Sequence, residues 1–174
     1  MSQKHYKQDG TFHITTNSKK DIPWCTWPGI PEILIDNLFM TRNVQNAKVY
    51  SFCIMPDHMH ILLSPGEKGL SAFMHSFKRN AMWDIRKIIS TLRSGRSRSS
   101  APAVYNCIPK WQKGFYDERI RTSDQRTNAL NYIKQNPIKN HLVTNISDWP
   151  WHSIHFEHLL DSTDFWFDSP FDPN

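Results

Sequence analysis

Two short segments carry residues whose types and spacing could do chemistry. His58-Met59-His60 sets two imidazoles two residues apart. In an extended segment both point the same way, about 7 Å apart along the chain. Both can then reach one metal ion, with Met59 and Ile61 turned to the opposite face, into the core. Two partnered polar histidines on a half-exposed strand would show the same spacing. The second segment is ALNYIKQNP, residues 129–137. On a helix the Tyr132 phenol and the Asn136 amide, at i and i+4, lie one above the other, with Gln135 at i+3 also near. An amide there, on the tyrosine's face, could complete a His-His-amide metal site. An ordinary helix, with a packing tyrosine and an asparagine closing it before proline, fits the same pattern.

The elements that must position these groups follow from periodicity. Phe12–Thr16 reads as a first strand, with Phe12, Ile14 and Thr16 on one face. Pro31 suits the first turn of a helix, which continues through Ile33, Leu34 and Leu38 and fades near Arg42. Lys48–Met55 reads as a second strand, with Tyr50, Phe52 and Ile54 on one face. The Pro56-Asp57 turn leads into a third strand, His58–Ser64, and the two pair as a hairpin. A second helix spans about Leu70–Ile89, with the apolar stripe Leu70, Phe73, Met74, Phe77, Ala81, Ile85 and Ile88. Residues 90–103, rich in Ser, Gly and Arg, read as a basic loop. Gly114–Arg121 is a fourth strand. A third helix starts near Thr122, where Thr-x-x-Gln resembles a capping box, and ends at Asn136 before Pro137. The order β-α-β-β-α-β with an additional C-terminal helix carrying the tyrosine is the α+β, ferredoxin-like pattern of one antiparallel sheet. Strands one and three are central in that plan, which puts His58 and His60 mid-sheet. The plan has helices on one face and leaves the other open for a site.

The 174 residues and 39% hydrophobic content suit one folded domain, read as 1–158 with an acidic C-terminal tail, 159–174. The net charge of +5 favours a polyanionic partner. Residues 159–174 hold four aspartates and no Lys or Arg, so the rest of the chain carries +9. Three cysteines and no C-x-x-C argue against a disulfide framework or zinc ribbon and for a cytoplasmic setting. MSQKHYKQDG has no apolar core of a signal peptide, and no apolar run approaches a membrane span.

Taken together, MPDHMHILLSP, WQKGFYDERIR, YIKQNPIKNHLV and DWPWHS, in that order, closely resemble the REP-associated tyrosine transposases. These are a branch of the HUH single-tyrosine transposases that act on single-stranded DNA. The resemblance runs from about Phe12 to Ser153. It implies metal binding by His58 and His60, with Asn136 as third ligand and Tyr132 as nucleophile. Relatives outside the branch use glutamine as the third ligand, which keeps Gln135 in view. The implied reaction is attack of a phenol on a DNA phosphodiester, giving a 5′-phosphotyrosine and a free 3′-hydroxyl. The covalent intermediate conserves the bond so that the strand can be rejoined. Magnesium or manganese is the implied cofactor. Single-stranded hairpins of repetitive extragenic palindromes are the implied partner, bound by a monomer or transient dimer.

Phosphate contacts need Lys and Arg. Lys78, Arg79, Arg93, Arg96, Arg98, Arg119, Arg121 and Lys134 are the candidates, each also explicable as solvated surface. Asp57 turns the hairpin or orients a histidine. Of Asp117 and Glu118 only one can face the site. His152, His155 and His158 could form a second metal site or simply a polar face. The acidic end could fold across the basic face and restrain activity. Two other functions share these elements: an RNA-recognition type of non-catalytic nucleic-acid binder, which would want aromatics where His58 and His60 stand, and a metal-dependent hydrolase that would not need Tyr132.

Overall fold

The computed structural model describes residues 10–94 and 108–163. Strands β1 (Thr11–Asn17), β2 (Lys48–Ile54), β3 (His58–Ser64) and β4 (Tyr116–Ile120) and helices α1 (Ile30–Gln45), α2 (Gly69–Ser94) and α3 (Ser123–Lys139) follow in the order β1-α1-β2-β3-α2-β4-α3. All strand pairs are antiparallel and the spatial order is β2-β3-β1-β4. This is the expected βαββαβ plan plus one helix, with β1 and β3 central.

One sheet face is closed by α1 and α2. Phe12 and Ile14 of β1 and Met59, Ile61 and Leu63 of β3 are buried there with Leu34 and Leu38 of α1 and Phe73, Phe77 and Ile85 of α2. The α1 helix runs to Gln45, beyond the expected end at Arg42. Asn46 takes a left-handed conformation (φ 52°), and the amide of Ala47 returns to the Arg42 carbonyl. On α2 the buried stripe ends on Ile89, while Ile88 is exposed. From Phe77 the contact positions advance by four residues each, through Ala81 and Ile85, and that step leads to 89. The helix also continues to Ser94, into the stretch expected to be a loop. Residues 95–107, with Arg96 and Arg98, lie outside the described residues.

The second strand corrects the simple alternation. The β2–β3 register shifts between Val49 and Ser51. One extra residue at a bulge changes which side chains share a face, so Val49, not Tyr50, lies with Phe52 and Ile54 in the main core. Tyr50 joins a smaller cluster on the other face, with Cys53, Met55, Leu62, Ile120, Ala129 and Ile133. That cluster is where α3 packs. The second face is therefore half covered by the tyrosine-bearing helix, rather than open. The Thr122 hydroxyl caps α3 by accepting from the Gln125 amide at 3.2 Å. The helix passes Pro137 to Lys139, three residues beyond the expected end. Proline removes one donor near the C-terminus, and the amides of Asn140 and Leu142 still reach the Asn136 and Pro137 carbonyls.

The outer edge of β2 is sealed by the C-terminal segment, which protects an otherwise unpaired strand. The Ile54 amide donates to the Trp151 carbonyl at 3.0 Å, the Trp149 indole donates to the Ile54 carbonyl at 2.9 Å, and the Asp161 amide donates to the Val49 carbonyl at 2.9 Å. Trp149 and Trp151 are thus structural. No helix among the described residues is long and apolar enough to cross a membrane.

Candidate functional site

The site forms where the polar face of the central strands meets α3. His58 and His60 leave β3 on that face, and their Nε2 atoms are 3.1 Å apart. Each imidazole is held through its other nitrogen. His58 Nδ1 lies 2.6 Å from Asp57 Oδ1. His60 Nδ1 lies 3.1 Å from Thr15 Oγ1 and 3.3 Å from His13 Nε2. Nδ1–H donation to Asp57 and Thr15 leaves both Nε2 lone pairs facing one point. Asp57 therefore orients a histidine as well as turning the hairpin.

Asn136 completes the group. Its side chain is only 4% exposed, and Nδ2 lies 3.0 Å from His60 Nε2. Its Oδ1 accepts from Asn140 Nδ2 at 3.0 Å. Gln135, one residue earlier, is exposed, so of the two amides Asn136 is the one that reaches the histidines. Tyr132 stands one helical turn before Asn136, 45% exposed. Its ring is edge-on to His60 at 5.2 Å and to His13 at 5.5 Å. Lys139 Nζ sits 5.6 Å from the centre of the tyrosine ring.

This donor set fits one divalent ion. Two nitrogens each about 2.1 Å from an ion lie roughly 2.9–3.4 Å apart, depending on coordination number; the observed separation is 3.1 Å. Two imidazole lone pairs that close need a proton or a cation between them. Burial, then the neighbouring charges of His58 and His13, lower the pKa of His60 to about 3, so its ring stays neutral and able to ligate. Burial also lowers His13, against the pull of Glu118. A half-turn of the Asn136 amide presents its oxygen to the same point, giving up the bond from Asn140 Nδ2, which keeps its hydrogen bond to the Asn136 backbone carbonyl at 2.9 Å.

The other candidates scatter. Lys78 Nζ donates to the Gln112 and Gly114 carbonyls at 2.9 and 2.5 Å, fastening the segment before β4. Burial lowers its pKa to about 8. Arg79 borders a groove of about 460 Å³ with Arg86 and Lys110, between α2 and that segment. Strand alternation turns Glu118 to the site face beside His13, its register partner, and turns Asp117 and Arg119 the other way. Arg121 and Lys134 are exposed; Arg93 lies in the last turn of α2. His152, His155 and His158 do not converge. His152 is buried with Nδ1 accepting from the Ile154 amide at 3.0 Å, while His155 and His158 are exposed. The acidic end past Thr163 lies outside the described residues.

Sequence reading missed His13, Thr15 and Asn140. The signal was available for the first two. If Phe12, Ile14 and Thr16 face the core, the intervening His13 and Thr15 must face the site of a central strand.

The Transposase IS200 like family model matches residues 9–136. The REP-associated tyrosine transposase of Escherichia coli K12 is 21% identical over 155 residues, covering 88% of this chain and 81% of that protein. A Haemophilus influenzae protein assigned to the REP-associated tyrosine transposases is 27% identical over 126 residues, 68% of each chain. A solved REP-associated tyrosine transposase bound to a REP hairpin has the same fold, with a TM-score of 0.66 at 21% identity over 91% of this chain and 86% of that one. With its family model matched from residue 9 through the tyrosine helix to Asn136, the chain belongs to the IS200-like transposases, a family of enzymes.

Proposed function

We propose that the protein nicks and rejoins single-stranded DNA through a covalent bond between Tyr132 and a 5′-phosphate. The observation that carries this reading is that His60 Nε2 lies 3.1 Å from His58 Nε2 and 3.0 Å from the Asn136 amide, one helical turn from Tyr132. The Tyr132 oxygen attacks phosphorus, the bond to the 3′-oxygen breaks, and that oxygen leaves with a proton as the free 3′-hydroxyl. Attack by another 3′-hydroxyl reverses the step and joins a new end. A phenol is more acidic than an aliphatic alcohol and so is the better leaving group in that reversal.

His58, His60 and Asn136 would hold a divalent ion, Mg²⁺ or Mn²⁺, which when bound acts as a Lewis acid on the scissile phosphate. These ligands are neutral, so the cation's charge is left for the phosphate. Asp57 and Thr15 fix the two imidazoles in the ligating tautomer. His13 and Lys139 flank the phenol, and Lys139 brings positive charge to where a phosphate would lie. The solved relative carries a REP hairpin, which supports a single-stranded hairpin from repetitive palindromes as the substrate here. Arg79, Arg86 and Lys110 along their groove, with Arg119, Arg121 and Lys134, supply charge for its phosphates. Residues 1–158 are read as the catalytic domain and 159–174 as an acidic tail.

The test mixes the purified protein with labelled single-stranded hairpin DNA, with Mn²⁺ and with chelator, and resolves the products on a denaturing gel. The expected result is a metal-dependent protein–DNA adduct that Tyr132→Phe does not form. Hairpin binding with no adduct would overturn the reading in favour of a binding module. Metal-dependent cleavage with no adduct, unchanged in Tyr132→Phe, would overturn it in favour of a hydrolase.

A further inference from the structure

A cleft of about 490 Å³ opens on the other side of Tyr132, a volume typical of small-ligand sites. Its floor is the site face of the β1–β4 pair, where Thr15 stands opposite Tyr116 and His13 opposite Glu118. Its wall is α3, where Gln125, Asn128, Ala129 and Tyr132 recur at intervals of three, one and three and so share one face. Tyr132 is common to the cleft and to the histidine cluster. Because His13, Thr15 and Tyr132 line the cleft and also touch His60, the cleft is within one nucleotide's reach of a phosphate held at the histidines.

The lining chooses which part of the nucleotide enters. No Lys or Arg lines the cleft, and Glu118 places a carboxylate on its floor, so a phosphate would be repelled. What suits it is a neutral, flat group with hydrogen-bonding edges. Tyr116 is 72% exposed on the edge strand, an aromatic face on which any base can stack. Asn128 and Gln125 offer amides, although the Gln125 oxygen already accepts from the Arg121 amide at 2.7 Å. Glu118 can only accept. Adenine, cytosine and guanine present exocyclic amino groups to an acceptor; an unpaired thymine presents only its N3–H, flanked on both sides by carbonyl oxygens that a carboxylate repels.

We propose that this cleft reads one unpaired base beside the cleavage position. Tyr116 is the stacking platform, and Glu118 and Asn128 select a base with an exocyclic amino group over thymine. The inference rests on the nuclease reading above and adds a specificity determinant to it.

The experiment presents wild-type protein with hairpins flanked by randomised single strands, in Mn²⁺, then isolates and sequences both the strands joined to protein and those released. Thymine is expected to be depleted about tenfold at one position flanking the cut, the discrimination typical of one well-made base contact. Glu118→Gln should bring that bias below about twofold. The bias is a ratio within one pool, so a change in total yield does not affect it, and misfolded protein contributes no joined strands. Tyr116→Ala should lower adduct yield by about tenfold whichever base is present. An even base composition in the wild-type products, or the same bias in Glu118→Gln, would overturn the cleft's role while leaving the nuclease intact. No joined strands from the wild type would overturn the nuclease reading and the inference with it.

Discussion

The two faces of the sheet are made from the same strands and differ only by an offset of one residue. Met59 and Ile61 enter the helix-covered face, where they are fully buried among apolar side chains. His58 and His60 enter the other, where His60 is as buried, at 2% exposure, but among polar partners. The first face is closed by two helices with apolar stripes. The second is half closed by α3, whose Ala129 and Ile133 fill an apolar patch while Asn136 and Tyr132 meet the histidines. Burial alone therefore does not distinguish core from site. The distinction lies in whether the buried group is matched by hydrocarbon or by donors and acceptors that leave lone pairs pointing at one place.

The sharpest test of this division removes one oxygen. Tyr132→Phe is expected to lower adduct formation by at least about a thousandfold, as loss of a nucleophile does, with thermal stability nearly unchanged because the residue is half exposed. A large fall in Tm would show that the tyrosine is part of the packing of the site face, blurring the contrast. Next comes the opposite face. Met59→Ala deletes a fully buried side chain from the main core and should cost about 2–4 kcal/mol of stability, read by urea denaturation. The protein that remains folded should still form the adduct. Positions 59 and 132, on opposite faces of the sheet, would then break different properties of the molecule.

Much of this was legible in the sequence because it rests on periodicity and on steric rules. The seven elements, their order and the central place of the histidine strand follow from alternation in the strands and the stripes on α1 and α2. Of the candidate site, the pairs His58/His60 and Tyr132/Asn136 were legible as local spacings, at i, i+2 and i, i+4, and it was the family resemblance that joined them. What was not legible depends on events between elements. The bulge that moves Tyr50 across the sheet is fixed by the β2–β3 register, which sequence spacing does not encode. The burial of Ile89 instead of Ile88 is set by where α2 lies on the sheet. His13 and Thr15 meet His60 only through the β1–β3 pairing. Gln135 gives way to Asn136 because α3 turns that side toward β3.

A smaller effect separates holding a ligand from being one. Asp57→Asn removes the carboxylate that accepts the His58 Nδ1–H hydrogen bond at 2.6 Å. Loss of such a partner is expected to weaken Mn²⁺ binding by about 10- to 100-fold, measured by calorimetric titration. Adduct formation should recover at saturating metal. A defect that saturating Mn²⁺ does not correct would mean that Asp57 acts on the reaction itself.

The smallest expected effect lies at the sheet's outer edge, on neither face. Arg42 Nε and Nη2 each donate to a carboxylate oxygen of Asp161 at 2.7 Å, and the Val49 amide donates to the same carboxylate at 2.8 Å. Burial works against the charge of Asp161, but the Arg42 and Val49 hydrogen bonds outweigh it and hold the carboxyl below its ordinary range. Such a group stabilises the fold fully above the carboxyl's unfolded pKa, and that stabilisation is lost as pH falls through the folded value. Both side chains are partly exposed, so the pair contributes only about 1 kcal/mol. Asp161→Asn should thus be less stable than wild type by about 1 kcal/mol at pH 7, with the gap closing as denaturation is repeated below about pH 4. Adduct formation at pH 7 should not change, because the pair fastens α1 and β2 to the C-terminal segment without touching the histidine cluster. A loss of adduct formation in Asp161→Asn would mean that the segment sealing the edge also sets the geometry of the site face, and the two faces would then be coupled through β2.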